Sequence, residues 1–360
     1  FNVSRSPTLR TEVHVAGVRL IKSPVTLRTQ SDLQQSGGEP LWFQVTVANE
    51  GDTGRILNLH VEPEAFAYSQ HESPFTQTLS DQQIQVAAGN AATVTVKATP
   101  TAEAVPGDAV TYVVVASDRE DARAQGKVRL NAVMRRKHPL LFSADEVSFS
   151  QSMQEGTFDD PPDLWNATAV VHWLENAAYA YRDGNLTAGR KLADTLRTLG
   201  DPERGYRALC TEPFFPVSGN SAEGGSGLRT WYQGFWWDTT YAARAYDILY
   251  ETGLLSAEDK RRIEDNFLRP LGWMGTLYLN ACANGQESRI RSVIAMGLVT
   301  QDPDLVRYAI DGNVGFTHAI GHDMLEGITM ECTIDYMNIT WGQLIETAAM
   351  ASLSGIDLFH

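Results

Sequence analysis

The chain has 360 residues, 43% of them hydrophobic and 20% charged, and its 44 acidic residues against 29 basic ones leave a net charge of −15. A nucleic-acid binder needs a basic footprint, which an isoelectric point near 4.9 excludes. No apolar run approaches the roughly 18 residues of a helical membrane span, and a chain this long is expected to bury two cores, so a soluble two-domain protein is expected, without nucleic acid or membrane as partner.

The sequence opens at Phe1 with neither Met nor a charged-then-apolar leader, as after removal of a signal peptide or trimming. Residues 1–135 carry short alternating runs rich in Val and Thr: Leu41 to Val47, Ala92 to Val96 and Val110 to Ala116. Period-two alternation of β-branched and aromatic residues predicts half-buried strands. Turn signals at Glu50-Gly51-Asp52, Ala88-Gly89-Asn90 and Pro106-Gly107-Asp108 separate them. Strands at this spacing predict an antiparallel β-sandwich of immunoglobulin-like architecture, although the Cys and Trp landmarks of antibody domains are missing.

From residue 136 the period becomes helical. Trp165, Ala169, His172-Trp173, Asn176-Ala177 and Tyr179-Ala180 share one face, as do Tyr241, Ala242, Ala245, Tyr246 and Leu249. Polar breaks recur at Asp183 to Asn185, Gly200 to Pro202, Gly253 to Ala257, Asp302 to Asp304 and Asp311 to Asn313, which predicts stacked antiparallel helix pairs. Ser256 followed by Glu258 and Asp259 reads as a capped helix start. A long stretch, Thr211 to Thr230, contains Pro213, Pro216 and several glycines and reads as a functional or mobile loop. Cys210, Cys282 and Cys332 are odd in number and widely spaced, so at least one thiol is unpaired and no disulfide framework is expected. Asn2, Asn166, Asn185 and Asn338 begin triplets of the glycosylation pattern, relevant only in a eukaryotic secretory setting.

The segment Lys137-His138-Pro139-Leu140-Leu141-Phe142-Ser143, then Asp145-Glu146-Val147, resembles the opening of the helical toroid in heparinase II/III-like and alginate-lyase-like polysaccharide lyases. Trp236-Trp237-Asp238 leading into Ala245-Tyr246-Asp247-Ile248-Leu249 is similar to their central helix. Asn284-Gly285-Gln286-Glu287-Ser288 resembles their Asn-x-Gln helix start. Glu326-Gly327, Glu331 and Tyr336 follow the spacing of their Asp-Gly, Glu, Tyr signature, with Glu326 in place of the Asp. The resemblance extends over about 220 residues of this chain.

The resemblance implies an α/α toroid over residues 136–360, preceded by the sandwich as an accessory domain, cleaving uronic-acid polysaccharides by β-elimination without cofactor or metal, in a secreted or periplasmic protein. That chemistry needs donors on the uronate carboxylate, a base for the C5 proton and an acid for the departing oxygen. By position Asn284 becomes the carboxylate donor, Gln286 its partner and Tyr336 the acid or base. An amide suits the first role because it donates without titrating.

Each residue has a plainer reading beside this one. Asn284 also suits a helix cap, and Tyr336 a core aromatic. No His follows Asn284, which leaves the base unassigned. His318 and His322, at i and i+4, suit a catalytic His (His322), a metal pair or a packed pair. Arg289 and Arg291 suit substrate carboxylates or ion pairs with nearby acids. Trp231, Trp236 and Trp237, with Tyr232, suit a sugar platform or a core stripe, and Glu331 an orienting contact beside substrate. Family toroids generally continue into further helices and a closing sandwich, so the chain is expected to be an N-terminal portion of a longer lyase. Two other readings stand: a glycoside hydrolase using Asp238 and Glu331, and a glycan-binding module without catalysis.

The charge is unevenly divided. Residues 1–140 carry 14 basic and 14 acidic residues, and 141–360 carry 15 and 30. An acidic polysaccharide would be repelled by that half. The lyase reading therefore expects acids on the outer helices, with Arg289, Arg291 and the amides in the cleft.

Overall fold

The computed structural model describes residues 23–143, 146–164, 166–206, 239–276, 284–325, 328–329 and 334–360. A β-rich N-terminal region is followed by a helical one. The strands of the N-terminal region are β1 (Val25–Thr29), β2 (Leu33–Ser36), β3 (Leu41–Asn49), β4 (Arg55–Ala65), β5 (Phe75–Leu79), β6 (Gln83–Val86), β7 (Ala91–Pro100), β8 (Ala109–Asp118) and β9 (Gln125–Met134). They form a four-stranded sheet, β1-β3-β7-β5, and a five-stranded sheet, β2-β9-β8-β4-β6, antiparallel except for β2 beside β9.

Alternation decides which faces meet. In β3, Leu41, Phe43, Val45 and Val47 are buried while Trp42, Gln44 and Thr46 face out. Phe43 pairs with Val96 and Val45 with Val94, and this face packs with Leu57, Tyr112, Val114 and Leu130 of the other sheet. β8 departs from the half-buried expectation, because every residue from Ala109 to Ala116 is buried. At the start of β8 the second face meets the helical region: Ala109, with Val133 of β9 and Phe66, joins the core of that region.

Among the described residues the helices are α1 (Ala167–Arg182), α2 (Leu186–Leu199), α3 (Thr240–Leu249), α4 (Ala257–Ile263), α5 (Arg269–Thr276), α6 (Asn284–Thr300), α7 (Pro303–Asp311), α8 (Phe316–His318) and α9 (Ile334–Leu353). A π-helical turn joins α4 to α5 and another follows α8. Their starts are chemically specified. Ser256 accepts from the Asp259 amide while the Asp259 carboxylate accepts from the Ser256 amide, a complete capping box. Asn166 and Asn185, each the first residue of a glycosylation-type triplet, cap α1 and α2 by accepting from the amides of Ala169 and Ala188.

The two regions are joined by polar contacts around one arginine. Arg269 of α5 donates to Asp302, the buried cap of α7, at 2.9 Å, and its other nitrogens reach Asp32 beside β2 at 3.0 and 3.2 Å. Asp304 accepts from Arg129 and Asn131 of β9 at 3.0 and 2.9 Å. Tyr68 donates to Asp311 at 2.7 Å. Burial raises the Asp302 carboxyl, and the Arg269 charge opposes it. Carboxylates from both regions thus complete a cation that neither could bury alone.

The linker after β9 is held by Asp247. This residue of α3 is 2% exposed. Its carboxylate accepts from the Leu140 amide at 2.8 Å and the Leu141 amide at 2.7 Å, and lies 2.5 Å from Nδ1 of His138. Two of the sequence segments singled out above, His138 to Leu141 and Ala245 to Leu249, are therefore one contact. Asp247→Ala leaves two amides and an imidazole buried without their acceptor. A loss of about 3–5 kcal/mol is expected in denaturant unfolding, as when one partner of a buried ionic cluster is removed. A loss below about 1 kcal/mol would show that water replaces the carboxylate.

Candidate functional site at the helix starts

Four helices bring polar side chains into the helical interior. α1 and α3 run parallel, because His172 lies beside Tyr241 with ring centroids 5.2 Å apart, and three residues further along each helix Glu175 lies 3.8 Å from Arg244. α6 and α9 also run parallel. Arg291 is 2.8 Å from Glu346, Ile290 clusters with Leu344 and Ala348, and the later residues Leu298, Gln301, Ser354 and Ile356 line one small cavity.

Parallel neighbours place their N-termini at the same end. Asn284 is the first residue of α6 and Tyr336 lies in the first turn of α9. The two positions thus belong to one end of adjacent helices, whose axes in packed pairs are about 8–10 Å apart. Both helix dipoles direct their positive ends there.

Behind this end lies a charged network. Glu346 of α9 accepts from Arg244 of α3 through one carboxylate oxygen and from Arg291 of α6 through the other. Arg244 also faces Glu175 of α1, which accepts from Tyr179 at 3.4 Å. Burial, then the Glu175 charge, raises the Tyr179 hydroxyl. Thr240 and Ser292 meet at 3.1 Å. Glu287 and Arg289 are also buried on α6, at 2% and 1% exposure.

The other residues expected at the site are placed as follows. Gln286 is buried in the first turn of α6 and donates to the Val314 carbonyl at 2.8 Å. His322 is exposed on the π-turn after α8, its ring stacked on His318 at 4.6 Å. Among the described residues no group of three His, Cys, Asp or Glu could hold a metal ion. Trp231, Trp236, Trp237, Tyr232, Asp238, Glu326, Glu331 and the Thr211 to Thr230 stretch lie outside the described residues, as do the side chains of Asn284 and Tyr336. The expected separation of acids from arginines is corrected: the half-buried Glu175 and Glu346 pair with Arg244 and Arg291, and Glu287 is buried on the same helix as Arg289. Unpaired carboxylates or unpaired guanidiniums would be too costly inside, so the two signs are buried together.

Glu175, Arg244 and Glu346 were not anticipated from the sequence. Their one signal is a charge set within an apolar helical run, as in Leu344-Ile345-Glu346-Thr347-Ala348.

No protein-family model matches the chain, and no curated protein sequence matches it. Among solved structures it is similar to alginate lyase A1-III from Sphingomonas species A1, with 16% identity and a TM-score of 0.43 over 62% of this chain and 68% of that one. The same lyase complexed with tetrasaccharide gives 18% identity, a TM-score of 0.41 and 62% of each chain, so this chain spans under two thirds of the length of that relative. A FixG-related protein from Vibrio parahaemolyticus, at 14% identity and a TM-score of 0.26, covers 32% of this chain and 100% of that one.

Glu346→Ala removes the acceptor that Arg244 and Arg291 share. A loss of about 1.5–3 kcal/mol is expected in chemical denaturation, with a smaller loss for Glu346→Gln, which keeps an oxygen acceptor. Equal losses in the two variants would assign the effect to packing.

Proposed function

We propose that this chain is the N-terminal portion of a polysaccharide lyase that cleaves uronic-acid polysaccharide by β-elimination, with residues 136–360 belonging to an α/α toroid and the sandwich serving as its accessory domain. The placement of Asn284 and Tyr336 at the common end of two adjacent parallel helices carries the reading. These are the two positions to which the sequence resemblance assigns the carboxylate donor and the proton-transfer group.

In this reading the positive helix ends and the Asn284 amide neutralise the uronate carboxylate, which makes the C5 proton removable. Gln286, anchored through Nε2 on Val314, holds the first turn of α6 in place. Tyr336 transfers a proton as acid or base, and His322 is the candidate for the complementary step. Arg289 supports the charge of the site from within α6. The tryptophans before α3 provide a platform for the sugar rings, and Glu331 orients substrate. The protein acts outside the cytoplasm, where such polymers occur.

Alginate, glucuronan, ulvan and heparinoids are the substrates to test, following the ultraviolet absorbance of unsaturated uronate together with reducing ends. In the full-length parent unsaturated product is expected, and Tyr336→Phe should lower its rate by about 10²–10⁴-fold while the melting temperature stays unchanged. Reducing ends without absorbance would identify a hydrolase instead. Full turnover in Tyr336→Phe would remove Tyr336 from the chemistry.

A further inference from the structure

A cleft of about 510 Å³ opens where the linker leaves β9, on a different part of the molecule from the starts of α6 and α9. It is lined by Arg135, Arg136 and Lys137 of the linker, by Lys260 and Arg261 of α4, and by Tyr250. Its volume lies within the range of small-ligand sites. Five cations around one cleft contrast with the excess of acid in the chain as a whole.

The pairing of these cations differs from that elsewhere. Most arginines of the described residues sit against a carboxylate, as Arg55 does on Asp118 and Arg197 on Asp194 and Asp259. Arg261 follows that habit with Glu258 at 2.7 Å. Arg135, Arg136, Lys137 and Lys260 make no close ion pair among the described residues, although Glu39 acts on Arg135, Asp108 on Arg136 and Glu264 on Lys260 at longer range. Lys260 instead lies 4.0 Å from the centre of the Tyr250 ring, which also stacks on His138 at 3.6 Å.

Arg136 is held firmly. Its amide donates to Gln301 at 2.7 Å and its carbonyl accepts from the same side chain at 3.2 Å. Its guanidinium lies against Gly107, where an added Cβ would fall 1.8 Å from Nε. The backbone there has φ +97°, so glycine meets both the conformational and the steric demand. The guanidinium thus lies on the Gly107 side, within reach of the Asp108 charge, and Arg136 braces the linker so that Arg135 and Lys137 on either side of it are held at the cleft.

Two carboxylates also line the cleft. Glu251 is exposed. Burial pushes the Glu264 carboxyl up to about 7, and the Tyr246 hydroxyl hydrogen bonds to it at 2.5 Å, so near neutral pH it carries less than a full negative charge. Burial likewise pushes the Tyr250 hydroxyl up to about 12, which keeps it a neutral donor.

We propose that this cleft binds an acidic oligosaccharide through its carboxylate or sulfate groups. Duplex nucleic acid, with a charge about every 1.7 Å, packs more charges than five cations can match over so small an area. A glycan strand with charges spread over successive sugar rings places its anions on the cations and its neutral ring atoms beside Tyr250. Binding here goes beyond elimination at the helix starts and stands independently of it.

The test is calorimetric titration of the whole chain with an oligogalacturonate, a heparin-derived oligosaccharide, a neutral cello-oligosaccharide and a short DNA duplex. Saturable binding of a carboxylated or sulfated oligosaccharide is expected, weakening with added salt and absent for the neutral one. Lys137→Ala combined with Lys260→Ala should reduce affinity at least tenfold, and the corresponding double Arg variant should restore it. Lys127→Ala, an exposed lysine of β9 outside the cleft, should leave it unchanged. Unchanged affinity in the double alanine variant, an equal loss in Lys127→Ala, or tighter binding of the DNA would overturn the proposal. Elimination measured on the same samples reports separately on the helix-start reading.

Discussion

The Asp247 carboxylate is the contact on which the arrangement of the chain depends. It lies on a core helix, yet all three of its partners belong to the segment that enters from the sandwich. A buried carboxylate demands full satisfaction by donors, and two consecutive amides with an imidazole meet that demand only when the linker takes one path. That path fixes where β9 ends relative to α3. It also brings Arg135 to Lys137 beside Lys260 and Arg261 of α4.

Much of the sandwich could be read from residue order, because alternation in β3 and β7 is a local property set by one buried face. β8 could not. Ala109 at its start joins a core built by helices far along the chain, and a run such as Val113-Val114-Val115 has the same composition whether one face or both are covered. Capping was legible for the same local reason, and Ser256 with Asp259 forms the box that their spacing suggests. Asn166 and Asn185 show the opposite case, since one short pattern serves both a modification and a helix cap.

The site was legible only in part. Asn284 and Tyr336 stood out through family-like spacing, but their common end follows from the parallel course of α6 and α9, which no local pattern encodes. The interior network was hidden for a related reason. Glu346 and Arg244 are 102 positions apart, and a lone charge in an apolar run gives no sign of its partner. The net charge of −15 describes the chain poorly as a single quantity: among the described residues Glu175 and Glu346 are matched by Arg244 and Arg291, while five cations gather around one cleft at the linker.

The double burial of β8 makes the sandwich more than a detachable bead. Phe66, Ala109 and Val133 belong to the helical core, and Asp32, Arg129 and Asn131 lend their polar groups to α5 and α7. Cutting the chain after β9 would expose that apolar face and strip Arg269 of one of its acids. Insertion or exchange of domains at this boundary would therefore have to carry a matching face with it. The two regions are built to unfold as one cooperative body, with the sandwich acting as a wall of the helical domain.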